Sequence, residues 1–308
     1  MNDLIRQAIA AEADERVDPR TVLANLHKAK KRKPFGLIVG VATLTVATAA
    51  AAVIVPTTIK KTDASPAAQQ SATAQNVLLI GLDEVDHTDA LMLARFRADG
   101  TGVTIVSLPR DVFVDGEKLN GLFRKDPKQL TAAVEKTTGA KVDHWAAVKM
   151  AGFTRISQLI GGVEVCLKAA VTDPITKAGF PAGRQSLVGD HALAFLRQRH
   201  GLPNGDLDRV KRQQAFLVGL ASQITKENAL ELARGVNGMI VVDDGWDVLE
   251  FAQRFTGPLA ISMSTLPVES EVQRETGFGF EIDPARSKEF VGKALDGGDT
   301  SGGDGCVN

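Results

Sequence analysis

The sequence predicts a three-layer α/β/α fold, in which helices cover both faces of a central mixed sheet, preceded by a single transmembrane helix. Three observations lead to this fold class. Short apolar strands alternate with amphipathic helices through residues 75–297, which is typical of helices packed on a sheet. Two of these strands are joined by RADGTG, whose Asp-Gly pair predicts an antiparallel hairpin. Before the domain runs an uncharged apolar stretch of about 21 residues, long enough to cross a bilayer as a helix.

The apolar stretch is expected to be a membrane anchor. Basic residues crowd positions 28–33 directly before it, and only Lys60 and Lys61 follow closely, so the positive-inside rule places the N-terminus in the cytoplasm. A cleaved signal peptide is the alternative, because the stretch ends in small residues, although the apolar part of such a peptide usually has about 7–15 residues. The predicted organisation is a cytoplasmic segment (1–33), a transmembrane helix (34–55), a linker (56–74), an extracytoplasmic domain (75–297) and a flexible tail (298–308).

Within the domain, the spacing of apolar residues predicts the elements in order. The predicted strands are 76–81, 90–96, 103–109, 144–150, 163–167, 261–268 and 277–283. The predicted helices are 127–139, 151–162, 190–196, 206–224, 245–255 and 283–295. This alternation, with one hairpin among the strands, favours a mixed sheet over a purely parallel one.

A dense basic stretch, FLRQRHGLPNGDLDRVKRQQAFL, stands out in a chain whose net charge is −1. Arg197 and Arg199 would point the same way if their segment is extended. Arg209 and Gln213 are four residues apart, so they share one face of a helix that begins at Asp206 or two residues later. Because guanidinium groups form paired bonds to phosphate oxygens and a helix start favours an anion, we expect a pyrophosphate site here.

The other basic residues of this helix have a simpler explanation that fits equally well. Lys211 and Arg212 could lie on a solvated helix face, while Val210 and Ala221 belong to a separate apolar stripe suited to the core. The nearly neutral chain gives no reason to expect nucleic acid, and it contains no DNA-binding motif.

Two aspartates and an arginine are expected at the ends of neighbouring strands. Asp83 follows the first strand, Asp89 precedes the second, and Arg110 with Asp111 ends the third. Two carboxylates at adjacent strand ends can hold Mg²⁺ together with phosphate oxygens and water. The alternatives are ordinary turn aspartates and an exposed loop ion pair, which would contribute little.

The domain resembles the LytR-CpsA-Psr family of cell-wall phosphotransferases, of the actinobacterial kind. The residues that carry the resemblance are NVLLIGLD, TDALML, VSLPRDVFV, LNGLF, GFTRISQLIGGVEV, FPAGRQSLVGDHALAFLRQRH and GDLDRVKRQQAFL. By position, Asp83 and Asp89 match the family's magnesium-linked aspartates. The positions that match its pyrophosphate-binding set are Arg110, Arg197, Arg199, Arg209 and Gln213, with Asp206 as a further acidic position.

The resemblance implies a membrane-anchored, Mg²⁺-dependent enzyme that moves a glycopolymer from a polyprenyl-pyrophosphate carrier to a peptidoglycan hydroxyl. Catalysis would then depend on Asp83, Asp89, Arg110, Arg199 and Arg209, with Asp89 or Asp206 accepting the hydroxyl proton. It also implies an apolar pocket for the prenyl chain, which AGFTRISQLI, HWAAVKM and AFLVGL could line, although they are equally good core. A non-catalytic polyprenyl-phosphate-binding protein and a lipid-pyrophosphate hydrolase are the alternatives.

One loop departs from the family pattern. The family usually has a longer loop after the first aspartate, ending in an Arg-Ser-Asp-Thr type sequence. Here the loop reads EVDHTDA, so His87 stands where the arginine is expected and Ala90 replaces the threonine. A histidine is mostly uncharged near neutral pH and contacts phosphate more weakly, so this loop bears on metal affinity and substrate choice.

Two cysteines, Cys166 and Cys306, are too few for a disulfide framework and lack metal-site spacing. In an oxidising compartment outside the membrane they could pair with each other. We expect this bridge to fasten the tail to the domain.

Overall fold

The computed structural model describes residues 73–236, 238–255, 259–297 and 305–308. The predicted cytoplasmic segment, the predicted transmembrane helix and the linker up to residue 72 lie outside the described residues. Among the helices within the described ranges, none combines the length and the apolar character that crossing a bilayer requires.

Six strands form the central sheet. They are β1 (Gln75–Leu82), β2 (Thr88–Phe96), β3 (Gly102–Ser107), β6 (His144–Lys149), β11 (Ile240–Val242) and β12 (Ala260–Thr265). Their order is β11-β6-β1-β2-β3-β12. The pairs β1–β2, β2–β3 and β6–β11 are antiparallel, whereas β1–β6 and β3–β12 are parallel. The predicted mixed sheet and its hairpin are therefore confirmed.

The other described strands form small sheets around this one. They are β4 (Phe113–Val114) with β5 (Glu117–Lys118), β8 (Val171–Thr172) with β9 (Gly179–Phe180), β13 (Ser270–Arg274) with β14 (Gly277–Glu281), and the three-stranded sheet of β10 (Gly183–Leu187), β7 (Val163–Leu167) and β15 (Cys306–Val307). Among these, the sequence predicted β7 and β14.

Eight α-helices lie in the described part of the chain. They are α1 (Leu122–Lys125), α2 (Pro127–Thr138), α3 (Met150–Leu159), α4 (Gly189–Arg197), α5 (Asp206–Gln223), α6 (Lys226–Gly235), α7 (Val248–Gln253) and α8 (Pro284–Leu295). A 3₁₀ turn at Leu119–Gly121 precedes α1. As predicted, α2 ends at Gly139, whose φ of 69° is left-handed.

Helices cover both faces of the central sheet because strand side chains alternate between the faces. Leu78 and Ile80 of β1 belong to a hydrophobic cluster that includes residues of α2 and α8. Val77 of the same strand belongs to a second cluster, with Phe251 of α7 and the partly buried Leu217 of α5. Each cluster holds one helical layer against the sheet.

A third hydrophobic cluster joins α3, α4, α5 and α6 to β7. Segments expected to suit a lipid pocket contribute to it through Met150, Ile156 and Phe216. Gly219 lets α5 approach β7 closely, since a Cβ there would collide with the main-chain oxygen of Glu164.

The tail is fastened to the domain. Cys166 and Cys306 form a disulfide, with their Cα atoms 4.4 Å apart, which confirms the expected pairing. Beside it, β15 adds a parallel strand to β7, and the Lys168 amide donates to the Val307 carbonyl at 2.8 Å. The expectation of a flexible tail is therefore wrong for residues 305–308, while residues 298–304 lie outside the described part.

Candidate active site

The strand order brings distant polar residues to one edge of the central sheet. β1 and β3 run in the same direction, and β2 runs opposite between them. The carboxyl ends of β1 and β3 and the beginning of β2 therefore share an edge. Asp83 lies one residue beyond β1, Asp89 is the second residue of β2, and Arg110 follows β3. Asp89 was expected before its strand, but β2 begins at Thr88 because Thr88 pairs with Leu82 across a β-bulge.

Helix ends bring the remaining arginines to the same place. Arg197 is the last residue of α4, which corrects the expectation that it lies in an extended segment with Arg199. The chain becomes extended at Gln198, with φ −61° and ψ 130°. Arg209 lies in the first turn of α5, whose cap is Gly205 instead of an aspartate.

These residues enclose a cleft of about 320 Å³. The side chains that line it are Asp83, His87, Asp89, Arg110, Asn120, Arg197, Arg199 and Arg209. Six of these eight side chains were predicted as site residues. Four arginines against two aspartates leave the lining with a net charge of +2, if the histidine is neutral. The cleft therefore favours an anion.

Asp89 lies at the centre of the arginines. Its Oδ1 accepts a hydrogen bond from Arg110 Nη1 at 2.5 Å and from Arg209 Nη1 at 3.5 Å. Arg197 Nε lies 3.9 Å from Oδ2. Asp89 is buried, so these cations compensate a charge that burial alone would disfavour.

Arg209 is the most deeply buried of the site arginines, with 1% of its surface exposed. Its Nη2 lies 2.6 Å from Asp206 Oδ1. Burial lowers its pKa to about 10, with the neighbouring Arg110 and Arg199 acting in the same direction and the carboxylate of Asp206 opposing them. The guanidinium therefore remains charged at neutral pH.

Main-chain amides of the short loop after β1 donate hydrogen bonds to Asp83 at its start. Asp83 Oδ1 accepts hydrogen bonds from the main-chain amides of Val85 at 2.9 Å and His87 at 2.8 Å. His87 Nδ1 lies 3.4 Å from Asp83 Oδ2. Burial raises the pKa of Asp83, but the two amides and His87 outweigh it and hold the pKa below its usual value. Asp86, at the tip of the loop with φ 64°, forms an ion pair with Lys149, the last residue of β6.

The two predicted metal ligands each keep one oxygen available. In the described residues, the hydrogen bonds to Asp83 and Asp89 fall on Oδ1, while Oδ2 has only the longer contacts to His87 and Arg197. No group of three or more metal-binding side chains occurs within the described ranges. Mg²⁺ commonly uses one or two carboxylates, with phosphate oxygens and waters completing its shell. The donor set fits that pattern.

Two predicted anion-binding residues lie behind the cleft. Gln213 is buried, and its Nε2 donates to the main-chain carbonyls of Asp89 at 3.1 Å and Leu196 at 3.4 Å. Asp206 pairs with Arg209 and lies 3.9 Å from Arg199 Nη1. Both residues hold parts of the site in place instead of lining it.

Arg110 is oriented by Asp111. Arg110 Nε lies 3.6 Å from Asp111 Oδ2. Their side chains are only 12% and 11% exposed, so the alternative of an exposed loop ion pair is wrong. Asn120 was missed by the sequence analysis. It lines the cleft and donates from Nδ2 to Asp111 Oδ1 at 2.8 Å, but nothing in its local sequence distinguishes it from a turn asparagine.

Comparison with known proteins gives consistent matches. The sequence profile of the LytR_cpsA_psr family matches residues 42–290. The cell wall biosynthesis protein LcpA of Corynebacterium glutamicum is 36% identical over 235 residues, covering 63% of this chain and 45% of that protein. A polyisoprenyl-teichoic acid–peptidoglycan teichoic acid transferase, TagU of Enterococcus faecalis, is 29% identical over 169 residues, covering 50% and 55%. The chain thus spans about half the length of these two relatives.

The fold also matches solved structures. A LytR-Csp2A-Psr enzyme from Actinomyces oris superposes with a TM-score of 0.60 at 24% identity, over 73% of this chain and 90% of that one. The agreement covers most of the domain described above.

Proposed function

Because the chain belongs to the LytR_cpsA_psr family, we propose that it transfers a glycopolymer from a polyprenyl-pyrophosphate carrier to a hydroxyl group of peptidoglycan. The observation that carries this proposal is the cleft at one edge of the sheet, which four arginines line and where three of them lie around Asp89. Two relatives whose names refer to cell wall biosynthesis and to teichoic acid transfer onto peptidoglycan support the same substrate class.

A pyrophosphate group suits the charge and size of the cleft. Its two phosphates each carry a negative charge, and guanidinium groups bind such oxygens in pairs. Arg197 and Arg199 are about two-fifths exposed, so they can reach an incoming ligand, whereas Arg110 and Arg209 form the buried floor. The lining's net charge of +2 matches a diester pyrophosphate.

Asp83 and Asp89 would hold Mg²⁺. When bound, the ion would neutralise part of the phosphate charge. The half-buried Asp83 carboxylate remains ionised at neutral pH because its pKa lies below the usual value, so it is ready to bind a cation.

In the proposed reaction, the acceptor oxygen forms a bond to the sugar-side phosphorus while the bridging P–O bond breaks. Polyprenyl phosphate leaves, and the arginines stabilise the charge that develops on it. The hydroxyl proton passes to a carboxylate of the site, and the two candidates are Asp89, which lines the cleft, and Asp206, which lies behind Arg209. A weak base is sufficient, because phosphoryl transfer depends mainly on positioning and electrostatics.

We also place the domain outside the cytoplasm, anchored by the apolar stretch at 34–55. The uncharged sequence of that stretch and its basic flank support this placement, and so does the Cys166–Cys306 disulfide, since such bonds persist in oxidising compartments. A reporter enzyme that is active only outside the cytoplasm should be active when it is fused after residue 308. Activity of a cytoplasmic reporter would refute the placement.

Transfer can be tested with the full chain, a radiolabelled polyprenyl-pyrophosphate glycopolymer and peptidoglycan. We expect Mg²⁺-dependent label on peptidoglycan and release of polyprenyl phosphate. Arg199→Ala should reduce the rate by about 100-fold or more, since it removes a charge-stabilising group. Lys211→Met, an exposed change on α5 outside the cleft, is the matched control and should retain the wild-type rate.

Two other outcomes would replace the proposal. Release of free polymer without attachment would identify a hydrolase that uses water as the acceptor. Lipid binding without Mg²⁺-dependent consumption would identify a carrier-binding protein. The departure of the loop at 84–90 from the family pattern is the feature that makes these outcomes worth testing.

A further inference from the structure

Arg212 is a buried cation that the proposed reaction does not use. It is 0% exposed, although the sequence allowed a solvated position for it. Its guanidinium carbon lies 4.6 Å from the ring centre of Phe195 and 5.4 Å from that of Phe180. Burial lowers its pKa to about 10, with Asp208 and Asp173 opposing that shift. The two rings stabilise the cation in part, but burying a charge still costs free energy unless the charge is also paired and hydrogen-bonded.

One of those hydrogen bonds leads directly to the cleft. Arg212 Nη1 donates to Gln198 Oε1 at 2.9 Å. Gln198 is 1% exposed, and its Nε2 donates to the His200 carbonyl at 3.0 Å. Gln198 is also where α4 ends and the chain turns extended, between Arg197 and Arg199. Its amide therefore fixes the turn that determines where both arginines point.

The other bond leads to the fastened tail. Arg212 Nε donates to the Asn308 carbonyl at 2.6 Å. Asn308 follows β15, which the Cys166–Cys306 disulfide holds against β7. The guanidinium thus has one fixed neighbour on the side of the tail and another on the side of the cleft.

We propose that Arg212 is a positioning residue for the anion site, acting through Gln198 to aim Arg197 and Arg199 into the cleft. The inference rests on the proposed function, because it assigns those two arginines to a pyrophosphate. Arg212 itself lies outside the residues that line the cleft. Its effect on binding is therefore indirect.

The test measures binding of inorganic pyrophosphate, with Mg²⁺ present, to the full chain by calorimetry. We expect Gln198→Leu to weaken binding about tenfold, which corresponds to about 1.4 kcal/mol, close to the lower end of the range for a hydrogen bond to a charged group. Arg212→Lys should weaken binding to a similar extent, because lysine cannot donate to both partners at once. Lys211→Met should bind like the wild type.

The same substitution in a second variant chain distinguishes an effect on arginine position from a general loss of structure. In a chain that carries Arg197→Gln and Arg199→Gln, adding Gln198→Leu should change the affinity by less than about twofold, because the residues that it positions are already gone. Equal losses in both backgrounds would overturn the inference, since they would show a general structural effect. Unchanged affinity of a folded Gln198→Leu chain would overturn it as well.

Failure of the proposed function gives a different result. If the wild-type chain does not bind pyrophosphate, the proposed function fails and this inference falls with it. If the wild type binds and only the Gln198 prediction fails, the inference alone is wrong. Should Arg212→Lys not fold, Gln198→Leu in the two backgrounds decides the question.

Discussion

Removal of the disulfide should destabilise the domain strongly, because the bond closes a very long loop. Cys166 and Cys306 are separated by 140 residues. In the chain-entropy relation, a loop of this length restricts the unfolded chain by about 17 cal/mol/K, or about 5 kcal/mol at 25 °C. Because measured effects are often smaller than this relation gives, we expect Cys166→Ser/Cys306→Ser to lower the free energy of unfolding by about 2–5 kcal/mol.

The assay is urea unfolding followed by circular dichroism. With a slope of about 2–3 kcal/mol per M, the midpoint should fall by about 1–2 M. The wild type in a phosphine reductant should behave like the double variant, and the reductant should leave the double variant unchanged. This pair of controls separates loss of the bond from the effect of serine side chains.

The reasoning would be refuted if the free energy of unfolding fell by less than about 0.5 kcal/mol while its dependence on urea concentration stayed unchanged. In that case the unfolded chain would already be restricted without the bond, or β15 would leave β7 without unfolding the rest of the domain.

Three further predictions concern buried groups. Gly219→Ala should destabilise the domain by about 1–3 kcal/mol, measured by urea unfolding, because the added Cβ collides with the Glu164 carbonyl; wild-type stability would show that α5 can shift. Arg209→Met should lower the free energy of unfolding by about 3–5 kcal/mol and abolish pyrophosphate binding, because it removes the nearest cation from Asp206 and one of the cations around the buried Asp89; retained stability would contradict that pairing. The pKa of Asp208 is lowered, since hydrogen bonds from Asn204 outweigh burial. Its contribution to stability is therefore full above about pH 4 and lost as the pH falls further, so calorimetry at pH 2–5 should show a shallower decline for Asp208→Asn; equal slopes would argue against it.

The edge of the sheet where the site lies could be predicted from the sequence. Apolar strands at 76–81 and 103–109 joined through a hairpin strand must end at the same edge, so Asp83 and Arg110 had to be neighbours. The arginine stretch was recognisable because it breaks the charge pattern of a nearly neutral chain. Both strand direction and local charge density can be predicted from short segments of sequence.

Burial of polar residues on α5 could not be predicted in the same way. The apolar stripe correctly included Val210 and Ala221, but Arg212 and Gln213 are buried too. Their partners include the Asn308 carbonyl and the Asp89 carbonyl, 96 and 124 positions away. A helical period reports hydrophobicity alone and contains no information about such distant acceptors.

The end of α4 shows a similar limit. An extended segment from Arg197 to Arg199 was a reasonable reading of a stretch that precedes GLPNG. The helix continues to Arg197 because Gln198 still donates its amide to the Ala194 carbonyl at 3.0 Å. One hydrogen bond at a helix end shifts the boundary by a residue, and this is beyond the resolution of pattern-based prediction.

The long sequence distance between Asp89 and Arg209, 120 positions, has a consequence for folding. Contacts of such high sequence separation form late, because the intervening chain must first be ordered. The anion cleft therefore does not exist in partly folded chains, and a ligand that occupies it selects molecules whose α5 has docked on the sheet. Pyrophosphate should therefore raise the melting temperature of the chain by mass action, because it binds only the state in which this contact has formed.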